Sequence, residues 1–588
     1  MLQNRQAQPL FSASATVFDK LLSLDQLKDL YRTASSTDGF HQNLLTELQV
    51  SPYLDERDLA RIPRTGPLVV VANHPFGMLE GSLLGTVLPQ VRQDYKIMTN
   101  QLLACMPELA SNCIFVDPFE NKDASRNSRA LRESVRWLRD GHMLVMFPAG
   151  EVSHWSLKNK AVEDPQWNSM VARLIRMTQA AALPLFFKGI NSIPFQVLGL
   201  VHPRLRTARL PHELFNKRGK TVEIRVGSVI PFSRIESIPD DREATAYLRW
   251  RTYLLSNRGP TRGATRGLLK QPKPSSEPIA NPTPQQLLMN DLSGLRPEQM
   301  LEESREFSVY LAEASQIPNL MRELGRLREI TFRQVGEGTR KPRDLDSFDD
   351  YYQHLVLWNK AKSEIVGAYR VGNADRILSR YGIKGLYTST LFHYDPAFFR
   401  RIGPALELGR SFVRLEYQKK FAPLMLLWKG LARHVSRHPE APVLFGAVSI
   451  SNDYNPASRQ LVARFLEERQ SNEKLAHLVR ARQPFPHKID VQGRAIRGMF
   501  QDVEWLSEVI PDLETDRKGM PVLLTQYLKL GGKILAFNLD PRFANALDGL
   551  VVVDLRETHL DTLERYMGAE AAATFLLQAR TQPLGLSA

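Results

Sequence analysis

Asn73-His74-Pro75-Phe76-Gly77-Met78-Leu79-Glu80-Gly81 follows the apolar run 68–72 and leads into the helix-like stretch 82–88. A short apolar run that ends in turn residues is typical of a buried strand. Pro75 restricts the backbone of His74 to an extended conformation, so the imidazole is presented at the strand end. Glu80 comes six residues after His74, where its carboxylate can hold one imidazole nitrogen. The other nitrogen can then accept a proton from a hydroxyl group, so the stretch predicts a general base, His74, with an acidic partner, Glu80.

A second apolar run, 143–147, ends in Phe147-Pro148-Ala149-Gly150-Glu151 about 70 residues further on. Two such strand ends resemble the glycerolipid acyltransferase family, which is marked by an Asn-His-x-x-x-x-Asp box and a later Phe-Pro-Glu-Gly-Thr box. The resemblance covers roughly residues 60–235 and implies that His74 is the catalytic base and Glu80 its partner. It also implies a pocket for the acyl acceptor between the boxes. The positions carried over as substrate-binding are Asn73, Gly77, Arg126, Phe147, Pro148 and Gly150.

The chain departs from the family pattern at two points. Leu79 occupies the usual position of the acid, and Glu80 stands one residue later, where its longer side chain can offset the slip. Ala149 replaces the glutamate of the second box, and Glu151 adds a new acid. An additional anion beside a phosphate is unfavourable. We therefore expect an acceptor that is not glycerol phosphate and that can carry a cation, with Glu151 among the substrate-binding residues.

The composition limits the class of protein. The chain has 588 residues, 43% hydrophobic and 24% charged, which predicts a folded protein of more than one domain. Its two cysteines, Cys105 and Cys113, form no C-x-x-C motif and are predicted to be reduced core residues of a cytosolic protein, without a metal site. No run of 18 uncharged apolar residues occurs in the sequence. We therefore expect peripheral contact with lipid, at the inner face of the bacterial cytoplasmic membrane.

The net charge of +14 would attract nucleic acid, anionic lipid or an acidic protein. Two basic clusters, within 204–220 and 249–273, are interpreted either as solvated surface or as contacts with an anionic membrane. The sequence shows no aromatic and basic module of the RNP type, so no nucleic-acid partner is predicted.

A segment rich in proline, serine and charge, residues 256–290, is predicted to be a linker. It separates an N-terminal domain, 1–255, from a C-terminal domain, 291–588. In the first domain apolar runs alternate with helical patterns such as 125–140, which favours an α/β sheet with reactive groups at strand ends. The second domain is predicted to be a mixed α/β fold. Amphipathic segments within 15–50 are expected to pack on the sheet or to dip into a membrane.

The second domain is similar to the N-acyltransferases that make lyso-ornithine lipid, distant relatives of the acetyltransferase superfamily and of acyl-homoserine-lactone synthases. The similarity covers about 305–555 and includes the stretches 330–339, 344–355 and 405–413. It implies transfer of a 3-hydroxyacyl group to an amine. The acidic run 344–350 is interpreted either as a site for the side-chain ammonium of ornithine or as a solvated face.

Glu407 lies within an apolar run, where a buried carboxylate can take a proton from an amine, and Arg410 follows as a predicted substrate-binding residue. The alternative for Glu407 is a structural ion pair with Arg410 or Arg414. Acetyl-coenzyme A enzymes carry a glycine-rich pyrophosphate turn after this strand, but 415–423 contains no glycine. We therefore expect no bound cofactor and a donor held on acyl carrier protein, with acyl-coenzyme A as the second choice. An acidic carrier protein suits the positive charge of the chain.

The order of the two domains resembles that of bifunctional bacterial ornithine lipid synthases. This resemblance implies that the second domain acylates the α-amine of ornithine and that the first domain then esterifies the 3-hydroxyl of lyso-ornithine lipid. Glycine, lysine and glutamine remain open as the amino acid. One alternative is a lysophospholipid acyltransferase whose other half binds acyl carrier protein. Another is a basic membrane- or RNA-binding protein that is not an enzyme.

Overall fold

The computed structural model describes residues 23–117, 124–259, 276–486 and 502–581, and it divides into two compact units. Unit 1 contains 1–258, 492–500 and 511–517, and unit 2 contains 259–491, 501–510 and 518–588. The predicted domains 1–255 and 291–588 stay a prediction, and no sequence pattern indicates that 511–517 belongs to unit 1. Residues 260–275 of the predicted linker lie outside the described residues.

The elements of unit 1 alternate between strands and helices, as the sequence predicts. In chain order they are α1 (Leu24–Ala34), α2 (Phe40–Glu47), β1 (Ser51–Leu54), α3 (Glu56–Leu59), β2 (Leu68–Ala72), α4 (Leu79–Val87), β3 (Tyr95–Asn100), β4 (Cys113–Val116), α5 (Ala124–Arg139), β5 (Met143–Met146), β6 (His154–Ser156), β7 (Ala161–Glu163), α6 (Met170–Thr178), β8 (Ala181–Lys188), α7 (Ile193–Val201), α8 (Pro203–Ala208), α9 (Leu210–Phe215), β9 (Thr221–Val226), α10 (Phe232–Glu236) and α11 (Asp241–Leu254).

A seven-stranded sheet in the order β1-β9-β8-β2-β5-β3-β4 forms the centre of unit 1. Every residue of β2 is buried, because this strand lies between β8 and β5 inside the sheet. Both neighbours run parallel to β2, so all three strands end at the same edge. This edge is called the carboxyl edge below. It brings together the segments that follow residues 72, 146 and 188.

Helices α1 and α2 pack on the core, since Leu30, Phe40 and Leu45 belong to the same buried cluster as β2. Of the predicted amphipathic segment 15–50, residues 15–22 lie outside the described residues. None of the described helices has both the length and the hydropathy needed to cross a bilayer. Both cysteines are free thiols, but only Cys113 is buried. The prediction of a core position is therefore wrong for Cys105, which is exposed in a short helical turn.

Asp512 is a fully buried acid of unit 1. Its two carboxylate oxygens accept hydrogen bonds from Arg61 (2.9 Å) and Arg251 (2.7 Å). The backbone N–H of Ser228 donates to the same carboxylate at 2.6 Å. Burial opposes ionisation, but the two guanidinium groups hold the pKa of Asp512 below its ordinary value. The segment 511–517 is thus tied to the helices and strands of residues 23–258 by charge.

The elements of unit 2 follow the predicted mixed pattern. They are α12 (Gln285–Ser293), β10 (Met300–Glu303), β11 (Phe307–Glu313), α13 (Pro318–Gln334), β12 (Gln353–Asn359), β13 (Glu364–Asn373), α14 (Ala374–Tyr381), β14 (Phe392–Tyr394), α15 (Ala397–Ile402), β15 (Ala405–Val413), α16 (Leu415–Gln418), α17 (Phe421–Arg437), β16 (Val443–Ile450), α18 (Pro456–Arg469), α19 (Glu473–Ala476), β17 (Val479–Ala481), α20 (Val503–Leu513), α21 (Val522–Lys529), β18 (Lys533–Asp540), β19 (Ala546–Asp554), α22 (Leu560–Met567) and α23 (Ala569–Thr581).

An eight-stranded sheet in the order β10-β11-β12-β13-β15-β16-β19-β18 forms the centre of unit 2. Its strands pair antiparallel except β15 and β16, whose parallel pairing ends at Leu408 and Gly446. Both strands continue beyond this point, to Val413 and Ile450, without pairing to each other. A gap therefore opens between them in the middle of the sheet. The fold class predicted for the two halves is confirmed by these sheets and by the family matches described below.

Candidate active sites

His74 lies at the carboxyl edge of the unit 1 sheet, and its side chain is 18% exposed. Its ring packs at 4.6 Å, centroid to centroid, against the ring of Phe147. Its backbone N–H donates to Asp164 at 3.1 Å, and its carbonyl accepts from the N–H of Ser153 at 2.8 Å. Three segments of the chain thus fix the imidazole while leaving part of it open to a substrate.

Glu80 is fully buried in the first turn of α4, with Oε1 3.3 Å from Nδ1 of His74. At this distance the two groups form an ion pair when His74 is protonated. The same Oε1 accepts hydrogen bonds from the backbone N–H groups of Phe76 (2.6 Å) and Gly77 (3.2 Å). The turn that precedes α4 therefore holds the carboxylate against the imidazole. Glu80 reaches His74 in this way although it stands one residue later than the acid of the family motif.

Electrostatics couple His74 and Glu80. Burial disfavours the imidazolium, but the negative charge of Glu80 outweighs this effect, and Asp164 adds to it, so the pKa of His74 is raised. Burial likewise disfavours the carboxylate, but His74 and the N–H of Phe76 lower the pKa of Glu80 below its ordinary value. The pair can therefore stabilise the imidazolium that forms when His74 takes a proton.

Asn73 and Gly77 shape the backbone around His74. The buried amide of Asn73 donates to the carbonyl of Phe187 (3.0 Å) and accepts from its N–H (2.7 Å), which ties the end of β2 to β8. Gly77 has a φ of 98°, and a Cβ atom there would lie 3.0 Å from the side chain of Leu210. Both contacts are internal, and the predicted role of the two residues in binding substrate stays a prediction.

The second box forms the neighbouring loop. Phe147 lies between His74 and Phe187, whose ring is 6.4 Å away. The N–H of Gly150 donates to the carbonyl of Phe147 at 3.0 Å, which closes a turn, and the carbonyl of Pro148 accepts from the N–H of residue 168 at 2.9 Å. Phe147 is the member of this box that contacts the base. Substrate binding by Phe147, Pro148 and Gly150 stays a prediction.

Glu151 is paired inside the protein. Its carboxylate, 53% exposed, accepts from Arg206 at 2.7 Å, and the side chain of Arg206 is only 7% exposed. Arg206 is thus the cation that pairs with Glu151. Contact between Glu151 and a cationic acyl acceptor stays a prediction. The side chain of Arg126, which the resemblance predicts to bind substrate, lies outside the described residues.

Asp164 is a functional candidate that the sequence did not indicate. It is buried, and it accepts from the backbone of His74, from the hydroxyl of Ser153 and from the indole of Trp167 (2.9 Å). Its own N–H donates to the hydroxyl of Tyr253 at 2.7 Å. Asp164 thus positions the base through the backbone. It follows the hairpin of β6 and β7, where no recognisable motif marks it.

An apolar pocket lies beside Glu80. Met78, Gly81 and Ser82, which flank Glu80 in the chain, form one wall. The other walls are mainly apolar side chains of α1, α2 and the segment around β3 and β4, among them Leu27, Leu30, Phe40, Met106 and Leu109. The apolar lining of this pocket is suited to contact with part of an acyl chain.

In unit 2, Glu407 is sealed in the interior. One carboxylate oxygen accepts from the hydroxyl of Tyr352 and from the N–H of Tyr387 (3.1 Å), and the other accepts from the N–H of Thr388 (2.7 Å). Burial raises its pKa. Arg410 and Arg414 pair with other acids. The alternative prediction, an ion pair between Glu407 and one of these arginines, is therefore wrong. This geometry favours a role in holding the turn 387–388, and it does not favour the predicted role as the base.

The acidic run 344–350 forms an internal network and is not simply a solvated face. Asp349 is buried and accepts from Arg328 at 2.8 Å and from Arg370 at 3.3 Å. Asp344 is buried beside Arg410, at 3.3 Å. The two arginines next to Asp349 lower its pKa, although burial opposes them. Binding of ornithine by this run is not favoured, because its buried acids are already neutralised.

Arg410 lies at a bulge in β15, where the register against β13 shifts. Its φ of 48° is unusual for a residue with a side chain, and such strain clusters at functional sites. The guanidinium is 10% exposed and lies 5.0 Å from the ring of Tyr387 and 4.8 Å from that of Phe543. Its hydrogen bonds to Tyr387 (3.3 Å) and Asp346 (3.4 Å) are long, and Nε makes none. The guanidinium also forms ion pairs with Asp344 and Asp346.

A cavity occupies the gap between β15 and β16, and Arg410 lines it together with Glu337, Asp540 and Asp548. Burial and the nearby Asp540 raise the pKa of Asp548 to about 7. Burial and the charge of Asp548 raise the pKa of Glu337 to about 8. Sequence reasoning missed all three acids, since Glu337 is about 200 residues away from Asp540 and Asp548 and no pattern in the sequence indicates that they meet.

The cavity can hold a polar substrate, because one guanidinium and three carboxyl groups line it. In the described ranges, the acids of this cavity included, no group of three or more His, Cys, Asp or Glu side chains is arranged to hold a metal ion.

Comparison with known families finds two family models that match different parts of the chain. A family model described as "Acyltransferase" matches residues 49–260, which include His74 and Glu80. A model described as "Acetyltransferase (GNAT) domain" matches residues 327–429, which include Arg410. The two matches define the class of the protein, a chain that joins two acyltransferase folds.

Three relatives specify the class further. The chain is 36% identical over 203 residues to the glycine N(alpha)-acyltransferase of Bacteroides thetaiotaomicron, covering 33% of this chain and 60% of that protein. It is 31% identical over 218 residues to the L-ornithine N(alpha)-acyltransferase of Rhodobacter capsulatus, covering 36% and 74%. It is 28% identical over 189 residues to the lyso-glycine lipid O-acyltransferase of Phocaeicola vulgatus, covering 31% and 65%.

The identity to the Rhodobacter protein, and the share of it that is covered, show that the chain belongs to the family of L-ornithine N(alpha)-acyltransferases. The chain spans about 60% of the length of the Bacteroides relative.

Proposed function

We propose that unit 1 is an O-acyltransferase with His74 as its general base. Because Nδ1 faces Glu80, Nε2 is the nitrogen that takes the proton of a hydroxyl group. The hydroxyl oxygen attacks the carbonyl carbon of an acyl thioester, the carbon–sulfur bond breaks, and the thiol leaves with the proton that His74 returns. Glu80 stabilises the imidazolium between these steps. The His74–Glu80 pair at the open carboxyl edge is the observation that carries the proposal.

The apolar pocket beside Glu80 supports a lipid as one of the substrates. Its wall includes Met78 and Ser82, so an acyl chain in the pocket would end near the His74–Glu80 pair. Burial of a chain in such a pocket supplies binding energy, roughly 0.8 kcal/mol for each buried CH₂ group. We infer that the pocket holds an acyl chain of the donor or of the lyso-lipid during ester formation.

We propose that unit 2 transfers a 3-hydroxyacyl group to the α-amine of an amino acid in the cavity between β15 and β16. Arg410 binds the α-carboxylate, and Asp548, whose pKa of about 7 suits a base, takes a proton from the amine. The amine nitrogen attacks the thioester carbonyl carbon, the carbon–sulfur bond breaks, and the thiol leaves with the proton that Asp548 returns. Asp548 replaces Glu407 as the proposed base, because Asp548 lines the cavity and both oxygens of Glu407 are occupied.

The acids of the cavity support ornithine as the amino acid. Three carboxyl groups line the cavity with one guanidinium, and burial, together with the neighbouring acids, raises the pKa values of Glu337 and Asp548. A side-chain ammonium would relieve this crowding of acidic groups, whereas glycine has no such group. Glycine is the second candidate, because a relative named glycine N(alpha)-acyltransferase shares 36% identity with the chain.

Together the two reactions would make an ornithine lipid: amide formation in unit 2 first, then ester formation in unit 1 on the new 3-hydroxyl. We propose acyl carrier protein as the donor's carrier, because the chain's net charge of +14 suits an acidic partner. We place the reactions at the inner face of the bacterial cytoplasmic membrane, where lyso-ornithine lipid would reside.

Expression of the chain in a bacterium without ornithine lipid tests the proposal. Mass spectrometry of the lipid extract should reveal a diacylated ornithine lipid, whereas His74→Ala should accumulate the monoacylated form. A Glu329→Gln variant is the control, since this buried glutamate of unit 2 holds the loop at residue 339 and does not contact the cavity. Absence of any aminolipid would reject the assignment, and unchanged diacylated product from His74→Ala would exclude His74 as the base.

Purified variants test the cavity of unit 2. Asp548→Asn should lower the rate of N-acylation of ornithine and of glycine by about 10²-fold or more. Glu337→Gln should instead lower the preference for ornithine over glycine by about tenfold, because one counter-charge is lost. Asp554→Asn is a matched control, since Asp554 lies on the same strand as Asp548 but pairs with Arg556. Equal losses in Asp548→Asn and Asp554→Asn would contradict the assignment.

A further inference from the structure

Helix α7 exposes its apolar side chains. Ile193, Val197, Leu200 and Val201 recur at helical spacing and are between 52% and 78% exposed. The opposite face carries Phe195 and Gln196, which are buried. A surface helix normally exposes polar side chains, whereas α7 exposes apolar ones to solvent. Ile190 and Leu205, also exposed, extend it at both ends.

The hairpin of β6 and β7 lies next to α7, because the N–H of Trp155 donates to the side chain of Gln196 at 2.9 Å. Its exposed Trp155 and Leu157 add to the apolar surface, and its exposed Lys158 and Lys160 add positive charge. The combined surface is called the α7 face below.

The acids beside the α7 face are already neutralised. Glu151 pairs with Arg206 at 2.7 Å, and Glu163 pairs with Arg249 at 2.8 Å. The net character of the surface is thus aliphatic and basic, with a tryptophan at its side. This combination is typical of segments that lie in the interface of an anionic bilayer.

The α7 face is on the same edge of the sheet as His74. Helix α7 begins shortly after β8, which ends at the carboxyl edge. Residue Gly189 packs so closely on Phe76 that a Cβ atom would lie 2.5 Å from its ring. The hairpin follows Ser153, whose N–H donates to the carbonyl of His74 at 2.8 Å. A partner seated on the α7 face would therefore be next to the base.

We propose that the α7 face docks unit 1 onto an anionic lipid bilayer and so brings His74 to the membrane surface. The aliphatic side chains enter the boundary between headgroups and acyl chains, and Lys158 and Lys160 contact the lipid phosphates. The reason for such docking rests on the proposed function, since a lyso-lipid acceptor resides in the membrane. The binding itself does not depend on it and can be measured without substrate.

Sedimentation of the full chain with vesicles tests the docking. Vesicles of phosphatidylglycerol and phosphatidylcholine in equal parts should bind the protein, and the variant Val197→Ser with Leu200→Ser should lower the partition coefficient by about tenfold. Lys158→Glu with Lys160→Glu should weaken binding to these vesicles and remove its dependence on salt. The control is Phe421→Ser with Leu577→Ser, two side chains that are about as exposed but belong to unit 2.

Two further measurements separate the outcomes. O-acylation of a short-chain, water-soluble lyso-lipid should be unchanged in the Val197 and Leu200 variant, so loss of docking is distinguishable from loss of the proposed chemistry. Unchanged vesicle binding by this variant, or an equal loss in the control, would overturn the proposal. So would sedimentation velocity showing that the variant dissociates an oligomer while vesicle binding is retained, because the face would then be a contact between protein chains.

Discussion

Replacement of Glu80 by glutamine separates the charge of this residue from its hydrogen bonds. Glutamine keeps an oxygen that can accept from the N–H groups of Phe76 and Gly77, so the turn before α4 should persist. The negative charge beside His74 is lost. We expect the pKa of His74 to fall, because burial then acts on the imidazolium without opposition from Glu80.

The geometry sets the size of the effect. An opposite charge 3.3 Å from the imidazole shifts a pKa by about 1–3 units, or about 1.4–4 kcal/mol. The acidic limb of the profile of kcat/KM against pH reports protonation of the base, so it should move to lower pH by the same amount. The plateau should fall by about 10²–10⁴-fold, because the imidazolium of the transition state loses its counter-charge.

The assay is O-acylation of a lyso-lipid by the purified chain across a range of pH, with the His74 ring followed by NMR titration. Glu329→Gln, a buried glutamate in unit 2, is the matched control and should leave the acidic limb in place. Since the folded-state pKa of His74 is raised, its protonation stabilises the wild-type fold at low pH, and this contribution is lost as pH rises through that pKa. An acidic limb that stays in place or moves to higher pH would refute the coupling of the two residues.

Three further predictions concern stability and backbone geometry. Asp512→Ala should lower the free energy of unfolding by about 3–5 kcal/mol, because two buried guanidinium groups lose their counter-ion; calorimetry showing a loss below about 1 kcal/mol would contradict this. Since the pKa of Asp512 is lowered, its stabilisation of the wild type is present above the ordinary pKa of an aspartate and should be lost as pH falls towards the folded-state value. Gly446→Ala should cost about 1–3 kcal/mol in urea unfolding, because its Cβ would lie 2.2 Å from the carbonyl oxygen of Leu408; wild-type stability would show that β15 and β16 are not packed as described. Gly77→Ala should slow O-acylation and spare N-acylation, because the φ of 98° is strained for alanine and the N–H that binds Glu80 would move; equal loss of both activities would indicate general unfolding instead.

Local pattern was sufficient to predict the strands that carry the first site. The apolar runs 68–72 and 143–147 correspond to β2 and β5, because strands buried inside a parallel sheet are apolar along their whole length. The proximity of His74 and Glu80 was likewise predictable from their spacing around a strand end and a helix start. The backbone turn that corrects the one-residue slip was not, since it depends on hydrogen bonds to Oε1.

The second site could not be predicted because it depends on contacts between distant segments. Glu407 looked like a reactive carboxylate, yet the hydroxyl and N–H groups that occupy it come from residues 352, 387 and 388. Asp349 belongs to a run that looked solvated, but Arg328 and Arg370 arrive from a helix and a strand on either side of it. Side chains that meet across a sheet leave no periodic signal in the sequence.

The burial of Asp512 among arginines of unit 1 affects which chimeras between this chain and a homologous protein can fold. A chimera that exchanges everything after residue 290 for a homologous half would also exchange a seven-residue piece of the first unit, 511–517. If the incoming half lacks an acid at this position, two guanidinium groups are stranded in the N-terminal half, far in sequence from the splice. Successful hybrids should therefore be those that retain the carboxylate, whatever their divergence elsewhere.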